Sequence, residues 1–411
     1  MLRRQALVYL VGASIQKLIP FLLLPLYTRL MPIEEFGNYA SFIAFLAMFS
    51  LLVGLKPDSY LLSSYSRDGI AEFNEKVTIC VILIPISLVV SFPLILLLAP
   101  FFFQHIDYLT LILLVLFSSL LLAFIQICSV LLQIQERAIY LVSLQTLSIL
   151  VANGIGVTLL YWNDTWSSRV FGDLVGSILL AFLLLKVIKP HLKLVEFANL
   201  KNALTSALTF LLPVFVHVVS FTFLNVGDRL IIQSLLGADA VAKYSVAYMF
   251  GMIVGVFHDS FLKAWNPYFY SKVIKSLKDE RDVNRHARIY SLFSIILGVM
   301  VGGFFSVVYR LVLPTEYHGV EYIIIIVSLA YSLEGIRKVY SGYLFLQNKT
   351  RIIAKIALAS VLMNVLLNYI LIRLIDLDGA AIATLIAFLN MMIFTVYYSR
   401  KSRLEFQSTL E

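Results

Sequence analysis

Long apolar runs recur along the whole chain, separated by short polar stretches. A helix needs about 20 apolar residues to cross the hydrocarbon core of a bilayer, and twelve such segments can be laid out here. They predict helices near Leu7 to Tyr27, Tyr39 to Leu55 or beyond, Val77 to Ala99, Leu109 to Leu132, Leu141 to Trp162 and Ser168 to Ile188. Six more fall near Ala207 to Asp228, Ala240 to Trp265, Ile289 to Tyr309, Tyr322 to Leu346, Ile352 to Ile375 and Gly379 to Ser399. A basic amphiphilic stretch, LKVIKPHLKLVEFANLKN, separates the two sets. The expected organisation is a six-helix bundle over 1–190, a cytoplasmic linker over 191–205, a second six-helix bundle over 206–400 and a cytoplasmic tail over 401–411.

Composition sharpens this. Of the 411 residues, 60% are hydrophobic and 14% charged, whereas soluble domains run nearer about half apolar and a quarter charged. The excess needs lipid, and little chain is left for a soluble domain. A net charge of +8 could suggest nucleic acid, but the Lys and Arg residues alternate with apolar runs and form no single basic face, so nucleic acid is excluded as a partner. Assigned to loops, about nineteen basic residues fall on one side of the membrane and five on the other. Cytoplasmic loops carry the basic excess; both termini are therefore expected in the cytoplasm, with the chain multi-pass in the inner membrane. The N-terminal apolar stretch runs too long for a signal sequence and lacks a small-residue cleavage site, so it reads as a retained first helix. Cys80 and Cys128 lie inside apolar runs without metal-ligand spacing and read as small core residues; no cofactor and no metal are expected.

Duplicated halves often mark transporters. Sliding the chain by about 205 residues sets RLMPIEEFGNYA on SLLGADAVAKYS, each between the first two helices of its half. A second echo joins LLQIQERAIYLVSLQ with LFLQNKTRIIAKIAL. Six helices per half would give the two halves parallel topology, related by an axis along the membrane normal.

Three blocks carry a resemblance: PLYTRLMPIEEFGNYA, LNVGDRLIIQSLLGADAVAKYSVAY and LQNKTRIIAKIALASVLMNVLLNYILIRLIDLDGAAIATLIAF. In order and spacing they resemble the polysaccharide-transport (Wzx-type O-antigen flippase) family of the multidrug/oligosaccharidyl-lipid/polysaccharide exporter superfamily. The resemblance implies an all-α membrane fold with two six-helix bundles facing each other across a central cavity that opens alternately to cytoplasm and periplasm. It further implies an undecaprenyl-pyrophosphate-linked oligosaccharide as cargo, driven by a gradient of H+ or Na+, with polysaccharide assembly proteins as candidate partners beside the membrane lipids. The family's sugar repeats are too diverse for any binding residue to be carried over.

Charged side chains at bilayer depth are the informative residues, because each costs about 2.5 to 3.5 kcal/mol at a helix centre unless it faces water or a partner. Lys17 sits midway along the first helix, followed by Pro20 and Pro25; it either presents a cation to a phosphate or pairs with a buried carboxylate or carbonyl. In the tenth helix the spacing of Glu334, Arg337 and Lys338 puts all three on one face with Tyr331 and Ser341, lining a cavity or forming an ion cluster between helices. In the eighth helix His258, Asp259 and Lys263 repeat the pattern, with Asp259 and Lys263 four apart and GMIVG allowing close helix approach. Substrate contact is therefore sought at Lys17, His258, Asp259, Lys263, Glu334, Arg337 and Lys338. Candidate ion-coupling carboxylates are Asp173, between Gly172 and Gly176, Asp228, next to Arg229, and Glu334. Lys56 and Asp58 flank Pro57 and form a cytoplasmic mouth or an ordinary helix end.

Three functions compete. A flippase would use Lys17, Arg337 and Lys338 to attract a pyrophosphate. A multidrug exporter of the same superfamily would need an acidic cavity, and the mid-depth cations here outnumber Glu334. An enzyme would need acid, base or nucleophile groups gathered at one interface; the expected periplasmic loops are short, and no Walker A loop, HExxH or GxSxG is present.

Overall fold

The computed structural model describes residues 2–67, 69–103, 107–192, 197–273, 277–347 and 349–407. The positions 193–196 in the linker, 274–276 in the basic loop and 408–411 in the tail lie outside the described residues. The chain folds into helices α1 (Leu2–Leu30), α2 (Ile33–Leu52), α3 (Asp58–Arg67), α4 (Ile70–Phe102), α5 (Tyr108–Ile134), α6 (Ala138–Leu160) and α7 (Trp166–Ile188). There follow α8 (Phe197–Leu236), α9 (Ala238–Gly251), α10 (Ile253–Val273), α11 (Leu277–Val312), α12 (Glu321–Tyr340), α13 (Gly342–Leu346) and α14 (Thr350–Gln407). Helix is the only regular structure among the described residues, as lipid requires of a chain that does not close into a barrel.

Among the described residues nine helices are long and apolar enough to cross a bilayer, with α9 and α10 running together as one of them. One of the nine, α14, is two crossings, since Ile375 and Asp376 leave helical geometry between its halves. With α8, whose run from Ala207 to Leu224 is apolar and uncharged, and α12, whose Glu321, Glu334, Arg337 and Lys338 lower its hydropathy, the crossings make the twelve expected. The fold is all-α and membrane-spanning.

Local sequence explains the breaks. Asp107 caps α5, its carboxylate accepting from the amides of Leu109 (3.2 Å) and Thr110 (3.4 Å); the Thr110 hydroxyl bond and these amides hold the Asp107 carboxyl below the usual carboxylate range. The second crossing, expected to run on from Leu55, instead breaks into α2 and α3. Gly54, Leu55 and Lys56 take φ of 82°, 53° and 55°, left-handed values that end any α-helix, and Pro57 follows. The backbone amide of Gly54 donates to Ser87 Oγ on α4 at 2.9 Å.

At the turn inside α14, Gly379 lies against the backbone of the preceding half. A Cβ there would sit 2.2 to 2.5 Å from Leu371 C and O and Ile372 N. Backbone cannot yield as a flexible side chain can, so Gly379→Ala is expected to destabilise the protein by about 1–3 kcal/mol, measured by thermal unfolding in detergent.

By internal packing the chain divides into Met1–Ser234 and Leu235–Glu411. The reason is visible in α8. Ser41 Oγ on α2 donates to Gln233 Oε1 at 2.8 Å, Gln233 Nε2 donates to Asn38 Oδ1 at 3.4 Å, and the rings of Tyr60 and Phe210 lie 5.4 Å apart. Polar bonds tie α8 to α2, and a ring contact ties it to α3.

Candidate functional site

In the first unit the centre of charge is a residue that sequence reasoning missed. Arg169 on α7 is 4% exposed, and its NH1 meets Asp173 Oδ1, one turn along, at 2.6 Å. Its NH2 donates to Asn153 Oδ1 on α6 at 3.2 Å. The guanidinium also lies 4.8 Å from the Tyr27 ring on α1 and 5.3 Å from the Tyr39 ring on α2. Both hydroxyls close the network, Tyr39 donating to Asp173 Oδ2 at 3.0 Å and Tyr27 to Asn153 Oδ1 at 2.7 Å. Glycines let α6 and α7 come this close: a Cβ on Gly172 would be 2.6 Å from Ala152 O, and one on Gly156 would meet the Arg169 side chain at 3.1 Å. A sequence signal existed, since Arg169 and Asp173 are four apart within an apolar helix.

Elsewhere in this unit Asp228 is buried and accepts from Arg229 through the backbone amide (2.8 Å) and NH1 (3.1 Å). Asp58 accepts from Gln126 Nε2 on α5 at 2.8 Å, with Lys56 Nζ at 4.0 Å. This bond joins the first residue of α3 to α5. Lys17 differs from all of these. It is exposed, and no hydrogen bond or ion pair joins it to any of the described residues.

In the second unit the structure brings together five of the expected residues. Arg337 Nε and NH2 each meet one oxygen of Glu334 at 2.6 Å, a two-point pair whose side chains are 12% and 4% exposed. Lys338 Nζ reaches Asp259 Oδ1 on α10 at 2.8 Å and lies 3.9 Å from Glu334 Oε1. Asp259 thus finds its cation 79 positions away, while Lys263, the expected partner four residues along, is exposed with no ion pair among the described residues.

The glycine stripe behaves as expected and identifies the close helix as α12. Cβ atoms on Gly251 and Gly255 would stand 2.7 Å from Val327 and 2.8 Å from Tyr331. His258 is buried in the same seam: Nδ1 is 2.5 Å from the Tyr290 hydroxyl and Nε2 is 3.2 Å from Ser294 Oγ, both on α11. Gly335 of α12 faces the imidazole, where a Cβ would be 2.5 Å from the ring.

One arrangement recurs. Each candidate coupling carboxylate has an arginine of its own helix bonded to it: Asp173 with Arg169, Asp228 with Arg229, Glu334 with Arg337. Such pairs neutralise the acid, so Arg337 and Lys338 have most of their charge answered within the protein, whereas Lys17 has no such partner among the described residues.

Residues 2–273 match the family described as "Polysaccharide biosynthesis protein". The chain belongs to that family. Lsg locus putative protein 1 of Haemophilus influenzae is 23% identical over 377 residues, covering 88% of this chain and 89% of that protein. Among solved structures, this polysaccharide biosynthesis protein is similar to the lipid II flippase MurJ in an inward closed conformation, with a TM-score of 0.74 at 18% identity over 96% of this chain and 88% of that one. It is also similar to the MATE multidrug transporter DinF-BH, with a TM-score of 0.68 at 16% identity over 97% and 95%. These likenesses show the fold alone, an all-α chain of twelve membrane-spanning helices.

Proposed function

We propose that this protein is a flippase, moving an undecaprenyl-pyrophosphate-linked oligosaccharide from the cytoplasmic to the periplasmic leaflet of the inner membrane by alternating access, driven by an ion gradient. The observation that carries the reading is Lys17: an ammonium midway along α1, exposed and unpartnered among the described residues. A lysine at that depth persists where it faces water, and with no carboxylate bound to it its charge is available to an anionic headgroup. The likeness to a lipid II flippase supports cargo of this kind. Lys263 offers a second unanswered cation, while Glu334, Arg337, Lys338 and Asp259 form an ion cluster that orders α10 against α12. Lys56 and Asp58 shape the cytoplasmic mouth.

The fold likeness to multidrug transporters raises the competing reading of an organic-cation exporter. Cationic cargo needs a carboxylate free to meet it, and the bonded arginines on Asp173, Asp228 and Glu334 oppose that. The test is reconstitution with fluorescent lipid-linked oligosaccharide. Loss of one charge-assisted bond, about 1.5–3 kcal/mol, corresponds to roughly ten- to a hundredfold in rate or affinity. Lys17→Ala is expected to lose that much transport at equal protein level, with Lys17→Arg retaining most of it. Wild-type transport by Lys17→Ala removes the assignment. Cation export from vesicles without glycan transport favours the competing reading.

A further inference from the structure

Beyond the cargo site lies a buried histidine whose hydrogen bonds can be given directions. Ser294 Oγ is 2.9 Å from the backbone carbonyl of Ser332 on α12. A carbonyl only accepts, so the one hydroxyl hydrogen of Ser294 is spent there. Its oxygen must then accept from His258, which places a hydrogen on Nε2 at 3.2 Å. The neutral imidazole keeps a bare lone pair on Nδ1, and the Tyr290 hydroxyl 2.5 Å away donates to it. In the neutral form of His258 the free nitrogen is thus stoppered by a tyrosine.

The groups around it are unusual for a core histidine. On its own helix Asp259 follows directly, and α12 contributes Lys338 and Glu334 to its electrostatic surroundings. Arg337 is bonded to Glu334, and from α11 the facing groups are Tyr290 and Ser294. Tyr331 of α12 turns instead to Gly255 and to the Tyr248 hydroxyl on α9 at 3.2 Å. Asp259 and Lys338 keep side-chain exposures of 50% and 28%, so exposed charged groups begin one residue from the buried ring. Imidazole is the side chain whose ordinary titration falls between about pH 5 and 8.

We infer that His258 carries a proton through the transport cycle, and that the conformation described here is its deprotonated state. The inference rests on the flippase reading. Loading takes a proton from water onto Nδ1; the Tyr290 hydroxyl stops donating to that nitrogen and turns to accept from Nδ1–H. The imidazolium then stands beside Asp259 and Glu334, competing with Lys338 and Arg337 for them, which loosens the contact of α10 with α12. Unloading returns the proton to water along the Asp259 edge and restores the Tyr290 bond. The Tyr290 ring lies on Phe261 with centroids 4.0 Å apart, so the hydroxyl can turn about its bond to the ring while the ring stays in place.

Two measurements test this on the full chain in lipid bilayers. Solid-state NMR of protein labelled with 15N-histidine, assigned through His258→Gln, is expected to show His258 with Nε2 protonated and Nδ1 bare but hydrogen-bonded. Tyr290→Phe should move the Nδ1 resonance to its unbonded position. A proton found on Nδ1, or no response to Tyr290→Phe, overturns the inference without reference to any cargo. The second measurement is the ratio of glycan transport rates with and without an imposed pH gradient. Wild type is expected to be stimulated several-fold, His258→Gln not at all, and Tyr290→Phe less than wild type. If wild type transports glycan but ignores the gradient, or both variants respond as wild type does, His258 has no coupling role and the flippase reading stands. A wild type that moves no glycan fails the flippase reading itself, and the coupling role falls with it.

Discussion

Arg169→Ala is expected to be the most damaging single substitution in the first unit. Removing the guanidinium leaves the Asp173 carboxylate without its cation and takes the 3.2 Å donor from Asn153 and the cation from between the Tyr27 and Tyr39 rings. Breaking a buried ion pair from one side costs about 3–5 kcal/mol; the lower end applies here because the Asp173 side chain is 33% exposed and water can reach it. Arg169→Lys is expected to recover little, since one ammonium cannot match a planar fork that bonds two oxygens and lies against two rings. Thermal unfolding in detergent, with expression level alongside, reads the loss. An unchanged midpoint for Arg169→Ala would show that the cluster contributes no net stability.

Glu334→Gln should be comparably severe in the second unit, by about 3–5 kcal/mol, because Arg337 would stay buried with a neutral amide in place of both of its carboxylate bonds. The informative experiment adds the paired change Glu334→Leu with Arg337→Met. Replacing both members of a buried ion pair by apolar groups is often neutral or stabilising, so the double variant is expected to regain the unfolding midpoint that the single variant loses. Glycan transport then separates the roles. Recovery of transport with stability makes the pair a packing device for α12; recovered stability with lost transport means that the charges act on cargo or on the coupling ion.

How much of this was legible beforehand varied with the range of the interaction. Twelve crossings followed from apolar run length, and the break near Ile375 to Gly379 could be placed because IDLDG interrupts an apolar stretch that would otherwise run on as one helix. Contacts within one helix were also readable: Glu334 and Arg337 share a face because they are three apart, and the structure bonds them. Partners on different helices were not. Asp259 had a plausible cation four residues away in Lys263 and a real one 79 positions away in Lys338, and only the packing of α10 on α12 decides between them. His258 and Tyr290 are 32 positions apart, a relation that helical periodicity does not encode. The hold on α8 is of the same kind: Gln233 bonds to α2 and Phe210 lies against Tyr60 of α3, relations that the basic linker before α8 does not encode. Arg169 was passed over although its spacing to Asp173 could have been noticed.

The arginines bonded to Asp173, Asp228 and Glu334 have a consequence for energy conversion. A counter-ion tethered to the backbone acts at an effective concentration of roughly millimolar or above and cannot be diluted, dialysed or washed out. Sodium or a proton from solution can claim one of these acids only by displacing a guanidinium rooted on the same helix, which swings away by a change of side-chain rotamer and not by movement of one helix past another. In the proposed ion-driven cycle an acid at rest is thus already neutralised and presents the driving ion with no vacant charge.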